Sequence, residues 1–124
     1  MKHISHYVDI VMKSLSVGNG NMAVITNLLR REGCDQDAVR PCVYGACAYI
    51  VQNNLLTEEQ TKETDAPTFA REDVQGAFQK LCPDFTKEEI DKIYSIMVKK
   101  VWLIEKGNHV FCGTRMMPNQ PLFL

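Results

Sequence analysis

The stretch FTKEEIDKIYSIMVKKVWLIEKGNHVFC, residues 85–112, carries the clearest structural signals of the chain. Thr86 and Glu89 have the spacing of a capping box, in which each side chain accepts a hydrogen bond from the other residue's backbone N–H. Phe85 and Ile90 flank this box as a hydrophobic staple. A helix is therefore predicted to begin after Thr86, and its apolar side chains recur at helical spacing.

The second half of this stretch predicts a β-hairpin. Residues 101–105 are rich in strand-forming side chains, and residues 106–108 contain a glycine and an asparagine that favour a turn. Residues 109–112 are predicted to form the second strand, which pairs with the first. Upstream, residues 72–81 predict another helix, which ends before Pro83. This order of helix, turn, helix and hairpin resembles the C-terminal half of a winged-helix domain, which implies that the second helix enters the major groove of DNA.

Three further helices are predicted in the first half of the chain. Residues 4–15 and 22–32 carry apolar stripes and are expected to form a helical hairpin across a glycine-rich turn. The third helix is predicted to begin at Pro41, because proline disfavours the helical conformation of the residue before it. Gly45 lies inside this helix, where glycine costs about 1 kcal/mol relative to alanine. A close helix approach at Gly45 would offset that cost, so the third helix is expected at the centre of the fold.

The middle of the chain is acidic. Residues 55–75 carry six acidic side chains and two basic ones. Thr57 and Gln60 have capping-box spacing, which predicts a short exposed helix there. The loop around Pro67 is the best internal boundary of the chain.

The fold is therefore predicted to be mainly α, with five or six short helices, a small C-terminal β-hairpin and a winged-helix-like last third. One domain is expected over residues 1–124, because the length is typical of a single core. Within it, we distinguish a helical subdomain at 1–54, an acidic linker at 55–68, a helix-turn-helix with hairpin at 69–113, and an apolar tail at 114–124.

Composition excludes several classes of protein. Fourteen basic and fifteen acidic residues give a net charge of −1, so the whole chain has no excess of positive charge that would favour nucleic acid. No apolar run approaches the ~20 residues that span a bilayer. The N-terminal residues do not follow the pattern of a secretory signal, so a cytoplasmic location and no membrane partner are expected.

No convergent set of catalytic or metal-binding residues is evident. The five cysteines are Cys34, Cys42, Cys47, Cys82 and Cys112. Their odd number and irregular spacing favour reduced, buried thiols over a disulfide framework, with Cys34 as the most exposed one. The pairs His3/His6 and His109/Cys112 do not supply the four convergent ligands of a structural zinc site. Residues 18–20 are interpreted as a turn and not as a phosphate loop. No catalytic residue, metal ligand or cofactor site is predicted.

The favoured hypothesis is a non-enzymatic protein-interaction module, a small adaptor, inhibitor or regulator that binds an unidentified protein. The only tryptophan and an apolar tail suggest its contact surface, since aromatic and methionine side chains are common at interfaces. The residues predicted to bind the partner are Trp102, Met116, Met117, Leu122 and Phe123.

Two alternatives remain open at this stage. The first is a winged-helix-like transcription regulator that acts as a homodimer and binds nucleic acid through cations around the hairpin. The residues predicted to make these contacts are Lys99, Lys100, Lys106 and Arg115. The second is a cysteine- or metal-dependent enzyme.

Overall fold

The computed structural model describes residues 3–118, 120 and 122 of the chain. Within these residues, six helices precede one two-stranded antiparallel sheet. The elements are α1 (Ile4–Ser16), α2 (Met22–Arg31), α3 (Gln36–Asn53), α4 (Glu58–Thr64), α5 (Arg71–Leu81), α6 (Lys87–Lys99), β1 (Leu103–Lys106) and β2 (His109–Cys112). The predicted fold class, mainly helical with a small C-terminal hairpin, is confirmed.

α1 and α2 form a helical hairpin, as the sequence predicts. Asn21 is the N-cap of α2, and its side-chain oxygen accepts a hydrogen bond from the backbone N–H of Ala23 at 2.8 Å. Gly33 follows α2 with a φ of +85°, the left-handed conformation that glycine adopts readily after a helix. The Tyr7 hydroxyl, near the start of α1, donates to the carbonyl of Glu32, just after α2, at 3.4 Å. The two helices therefore run antiparallel.

α3 begins more than one turn before Pro41, so the predicted start of the third helix is wrong. Proline inside a helix costs about 3 kcal/mol, because it lacks the N–H and its ring meets the preceding turn. Tertiary contacts oppose this cost. Val39 is buried, and both Arg40 and Tyr44 bind the carboxylate of Glu89 on α6, the Tyr44 hydroxyl at 2.5 Å.

α3 is the central helix, as expected, and contacts α1, α2, α5 and α6. Gly45 on this helix is buried against α1. A Cβ atom at Gly45 would lie 4.0 Å from the nearest methyl group of Val8, which is ordinary van der Waals contact. The approach of the two helices is therefore looser than expected, and alanine would fit at this position.

Both predicted capping boxes are formed. The Thr57 hydroxyl accepts from the N–H of Gln60 at the start of α4, and the Thr86 hydroxyl accepts from the N–H of Glu89 at the start of α6, each at 3.2 Å. α4 buries none of its residues, as predicted for an exposed helix.

β1 and β2 pair antiparallel across a two-residue turn, with Lys106 opposite His109. The first strand begins later than the sequence predicts, because Val101 has a φ of +62°. A left-handed residue cannot continue a strand, so Val101 and Trp102 form a corner between α6 and β1. The backbone N–H of Trp102 completes this corner by donating to the carbonyl of Met97 at 2.9 Å.

The apolar core includes side chains from every helix and strand except α4, and from two residues of the tail, Met116 and Leu122. Gln52 of α3 is a buried polar side chain inside this core. Its amide nitrogen donates to the carbonyls of Trp102 at 2.9 Å and Thr114 at 2.6 Å, and its oxygen accepts from the N–H of Met116 at 2.7 Å. Gln52 thereby attaches both the start of the hairpin and the tail to the central helix.

Candidate binding cleft

A cleft of about 620 Å³ opens between the α1–α2 loop, the C-terminal half of α3 and the end of α5. This volume lies within the range of small-ligand sites. The apolar side chains that line it are Leu15, Ile50, Val51, Ala77, Leu81 and Pro83. The polar ones are Ser16, Asn19, Asn21, Asn54, Lys80 and Asp84. The cleft therefore combines an apolar interior with a polar rim.

Gly20 sets the distance between the α1–α2 loop and α5. A Cβ atom at this position would lie 1.9 Å from the backbone oxygen of Leu81, so only glycine permits this approach. Ser14 holds the other side of the loop, where its hydroxyl donates to the carbonyl of Asn19 at 2.9 Å. Its own carbonyl accepts from the N–H of Asn19 at 3.0 Å. Backbone contacts thus build the loop wall of the cleft.

The Asp84 carboxylate occupies the N-terminus of α2. It accepts a hydrogen bond from the backbone N–H of Met22 at 3.2 Å. A carboxylate is favourable there, because the first N–H groups of a helix have no partner within the helix and carry partial positive charge. The helix start after residues 18–20 is therefore capped by the protein itself, in agreement with the interpretation of those residues as a turn.

The chemistry of the lining suits binding. Lys80 and Asp84 are its only titratable side chains, and no histidine or cysteine of the described residues lines the cleft. Lys80 is exposed and makes no ion pair within residues 3–118. Val17, between two lining residues, is 79% exposed and extends the apolar surface beyond the cleft. Such a site can accept an apolar side chain with an acidic group beside it.

A second, smaller groove of about 300 Å³ lies between the start of α5, α6 and β1. Tyr94 lines it and is 1% exposed, yet its hydroxyl has no hydrogen-bond partner among the described residues. Burial first, and then the neighbouring Glu105 carboxylate, raise the pKa of Tyr94, so the phenol remains protonated. The Arg71 guanidinium lies 4.7 Å from the centroid of the Tyr94 ring. Buried polar groups usually have a partner, and the Glu105 carboxylate, which lines the same groove, is the neighbouring acceptor for this hydroxyl.

The residues predicted to bind a protein partner lie mostly inside the fold. Trp102 is only 7% exposed, and Met116 and Leu122 are buried in the core. Met117 is the exception, with 56% of its surface exposed. Phe123 lies outside the described residues. These side chains do not form one exposed apolar surface, and their role in partner binding stays a prediction.

The cations predicted to bind nucleic acid contact different parts of the fold. Lys106 forms an ion pair with Glu58 on α4. Arg115 donates to the side-chain oxygen of Asn53 at 2.7 Å. Each of these two cations already has a partner on a neighbouring element, so it is less available to a phosphate.

The other two cations of that set lie on either side of the end of α6. The Lys100 ammonium lies 5.2 Å from the centroid of the Trp102 ring. Lys99 is exposed and lines the smaller groove together with Arg71 and Tyr94. The structure therefore associates Lys99 with Arg71, a cation that sequence reasoning did not select.

All five cysteines are buried and none is in a disulfide. The expectation that Cys34 is exposed is wrong, because it lies in the core just after the glycine that ends α2. His109 is exposed whereas Cys112 is buried, so they do not share a ligand position. Within the described part of the chain, no group of three or more histidine, cysteine or acidic residues could hold a metal ion.

Comparisons of the chain with protein-family models, with curated proteins and with solved structures found no match. Among the described residues, no helix is both long enough and apolar enough to cross a membrane.

Sequence reasoning missed the cleft, because its walls come from three segments that are distant in the chain. Gly20 and Asp84 are its most informative residues, since one touches α5 and the other caps α2. The one sequence feature that could have pointed to the cleft is Gly20, directly before the N-cap Asn21. A glycine in that position is just as typical of an ordinary turn. Only the fold reveals that this turn lies against Leu81.

Proposed function

We propose that the chain is a non-enzymatic protein-interaction module, which binds its partner in the cleft between the α1–α2 loop, α3 and α5. The observation that carries this proposal is the cleft itself, about 620 Å³ with an apolar interior that the described residues leave unfilled. Burying apolar surface yields roughly 25 cal/mol per Å², so one bulky side chain entering the cleft supplies useful binding energy.

The rim specifies the chemistry of the partner. Lys80 stands on one side without an ion pair in the described residues, whereas the carboxylate of Asp84 is already engaged by α2. The available charge is therefore positive. The partner is a protein segment that presents an apolar side chain next to an acidic one.

The surroundings of the cleft favour a protein over a small molecule. Val17, the first residue of the α1–α2 loop, is one of the most exposed large apolar residues of the described chain. It lies beside the cleft and not within it, so it offers contact area to a ligand wider than the cleft. A protein segment can cover Val17 and fill the cleft at the same time.

Selection from a random peptide display library, with the wild-type chain as bait, tests this proposal. Ala77 lines the cleft, and the neighbouring Gly76 points into open space on the same helix. Ala77→Arg fills the cleft, whereas Gly76→Arg adds the same charge outside it. We expect selected peptides to bind Ala77→Arg at least about tenfold more weakly, equivalent to about 1.4 kcal/mol, and to bind Gly76→Arg as they bind wild type.

Two results would overturn the proposal. One is a failure of the library to enrich any peptide with an apolar and an acidic residue close together. The other is equal binding of the enriched peptides to wild type and Ala77→Arg. Thermal unfolding of each variant checks that the comparison is made between folded chains.

A second candidate function is nucleic-acid binding by a winged-helix-like unit made of α5, α6 and the hairpin. The specific observation in its favour is the smaller groove, which Arg71 lines without forming an ion pair among the described residues. Guanidinium and ammonium groups commonly contact phosphate. Lys99 adds a further cation to the same groove.

Titration with random duplex DNA, first at low and then at physiological salt, tests the second candidate. Phosphate contacts make affinity fall steeply with salt. We expect Arg71→Ala and Lys99→Ala to weaken binding and to reduce the salt slope, and Lys106→Ala, whose ammonium already pairs with Glu58, to have little effect. Absence of binding at low salt rejects this function and leaves the cleft unaffected.

A further inference from the structure

Two thiols meet in the core between α3 and the end of α5. The sulfur atoms of Cys47 and Cys82 are 3.2 Å apart, although the residues are 35 positions apart in the chain. Both side chains are fully buried. The separation of a disulfide is about 2.05 Å, so the two sulfurs need to approach by only about 1.2 Å to bond.

We propose that Cys47 and Cys82 are a site of oxidative modification, at which a hydroperoxide forms an intramolecular disulfide that joins α3 to the end of α5. The pair is placed for this reaction by two rigid elements: Cys47 lies within α3, and Cys82 is the residue that ends α5.

The environment of the pair distinguishes the two sulfurs. The hydrogen bond from Cys47 lowers the pKa of Cys82 and, with a smaller contribution from the positive charge of Arg40, outweighs the opposing effects of burial and of the Asp84 and Glu89 carboxylates. The same hydrogen bond, together with burial, raises the pKa of Cys47. Cys82 is therefore the thiolate that reacts first, since the thiolate and not the thiol is the nucleophile.

The remaining cysteines provide internal comparisons. Cys34 and Cys42 are a second pair of neighbouring thiols, but burial raises the pKa of both, that of Cys42 to about 12. The pKa of Cys112 is likewise raised by burial, and none of the causes of its shift is a second thiol. The Cys47–Cys82 pair is thus the one that combines a close partner with a lowered pKa.

A small oxidant has a short path to Cys82. The residues on either side of it in the chain, Leu81 and Pro83, both line the cleft. A hydroperoxide that enters the cleft therefore reaches the turn of backbone that contains Cys82. A bulky disulfide reagent lacks such a path, because the thiol itself is not exposed.

The reaction balances with one molecule of hydrogen peroxide. The Cys82 thiolate attacks one peroxide oxygen, an S–O bond forms, the O–O bond breaks, and the leaving hydroxide takes up a proton to become water. Cys47 then gives up its proton and attacks the Cys82 sulfur, so that an S–S bond forms and the S–O bond breaks. The second hydroxide leaves as water. The two sulfurs lose two electrons, and the two peroxide oxygens gain them.

The test treats the full-length wild-type chain with hydrogen peroxide, alkylates the remaining thiols and maps the peptides without reduction. Met117, which is largely exposed, reports in the same digest that the oxidant was active. We expect a linked pair of peptides containing Cys47 and Cys82, whose mass is lower by two hydrogen atoms and is restored by a reductant. Cys112 should still be a free thiol after the oxidation and should therefore be found alkylated.

A matched pair of variants sharpens the assignment. Cys82→Ser should abolish the linked peptides, and Cys112→Ser should leave them unchanged. The oxidised wild-type chain should also unfold at a higher urea concentration than the reduced chain, because the disulfide restricts the unfolded state. The wild-type map decides the question even if a variant fails to fold.

Three results would overturn the proposal. One is complete oxidation of Met117 while Cys47 and Cys82 both remain free thiols. Another is a disulfide confined to the Cys34–Cys42 pair. The third is linkage between separate chains in place of linkage within one chain.

Discussion

The cleft resembles a second region, the hairpin–tail corner of residues 101–102 and 113–118, in its backbone contacts. The two regions differ in whether side chains fill the space between their elements. In each, a glycine lies against a backbone carbonyl: Gly20 against Leu81 in the cleft, and Gly113 against Val101 in the corner. In the corner, Gln52 satisfies three backbone groups, and the side chains of Trp102 and Met116 are buried. In the cleft, apolar side chains line a volume that stays open.

The apolar residues that are easiest to notice in the sequence are therefore not the ones that the fold leaves available for binding. The corner contains the only tryptophan and two methionines, but Trp102 and Met116 lie in the core beside the buried amide of Gln52. The cleft is lined by ordinary leucine, isoleucine, valine and alanine. The two regions differ in one respect. In the corner, the buried Gln52 amide bonds to the surrounding backbone and fills the space, whereas no side chain of the described residues fills the cleft.

Gln52→Ala should have the largest effect, because it breaks the corner. Three backbone groups would lose their partner, each at a cost of roughly 1–3 kcal/mol, so we expect a loss of at least about 3 kcal/mol in the free energy of unfolding. Urea denaturation measures this loss. Gln36→Ala, on the exposed start of α3, serves as the control and should change stability by less than about 0.5 kcal/mol.

Gly20→Ala and Gly113→Ala should each destabilise the chain by about 1–3 kcal/mol, the usual cost of overpacking. The added Cβ would lie 1.9 Å from the Leu81 oxygen in the first variant and 2.2 Å from the Val101 oxygen in the second. Backbone has to shift in both regions. If either variant is as stable as wild type by urea denaturation, the close glycine approach in that region is refuted.

Gly76→Ala should instead stabilise the chain. Gly76 lies on the exposed face of α5, and a Cβ there would meet no atom within 4 Å. Alanine is favoured over glycine inside a helix by up to about 1 kcal/mol, so this variant should raise the thermal unfolding temperature. It should leave peptide binding in the cleft unchanged, since it does not line that site.

Lys106→Ala should have the smallest effect, which depends on pH and salt. The hydrogen bond from Lys106, aided by Lys62, lowers the pKa of Glu58. A lowered pKa stabilises the fold above the ordinary value of 4.5, and this contribution is lost as pH falls through the lowered pKa. The stability difference between wild type and Lys106→Ala should therefore vanish in acid and shrink in about 1 M salt. Lys80→Ala should show no such pH dependence.

Local signals in the sequence predicted the helices and the hairpin well. The capping boxes at Thr57 and Thr86, the cap at Asn21 and the left-handed glycine at Gly33 all depend on neighbours within a few residues. The prediction that α3 begins at Pro41 is wrong. Contacts of Arg40 and its neighbours with α6 outweigh the local tendency of proline to disfavour a helix before it.

The candidate sites could not be predicted in the same way. Burial of Trp102 depends on Gln52, which is 50 positions away in the chain. The Cys47–Cys82 approach depends on how α3 and α5 pack. Neither pairing has a local pattern, and periodicity cannot tell an apolar side chain in the core from one that lines an open cleft.

The most direct test of the central claim is a map of backbone amide chemical shifts in the ¹⁵N-labelled chain, with and without a peptide selected from the display library. We predict that the perturbed amides cluster at Gly18, Asn19, Asn54, Lys80 and Asp84, around the cleft. Perturbations that instead cluster at the hairpin–tail corner, or along the smaller groove between α5 and α6, would contradict the account.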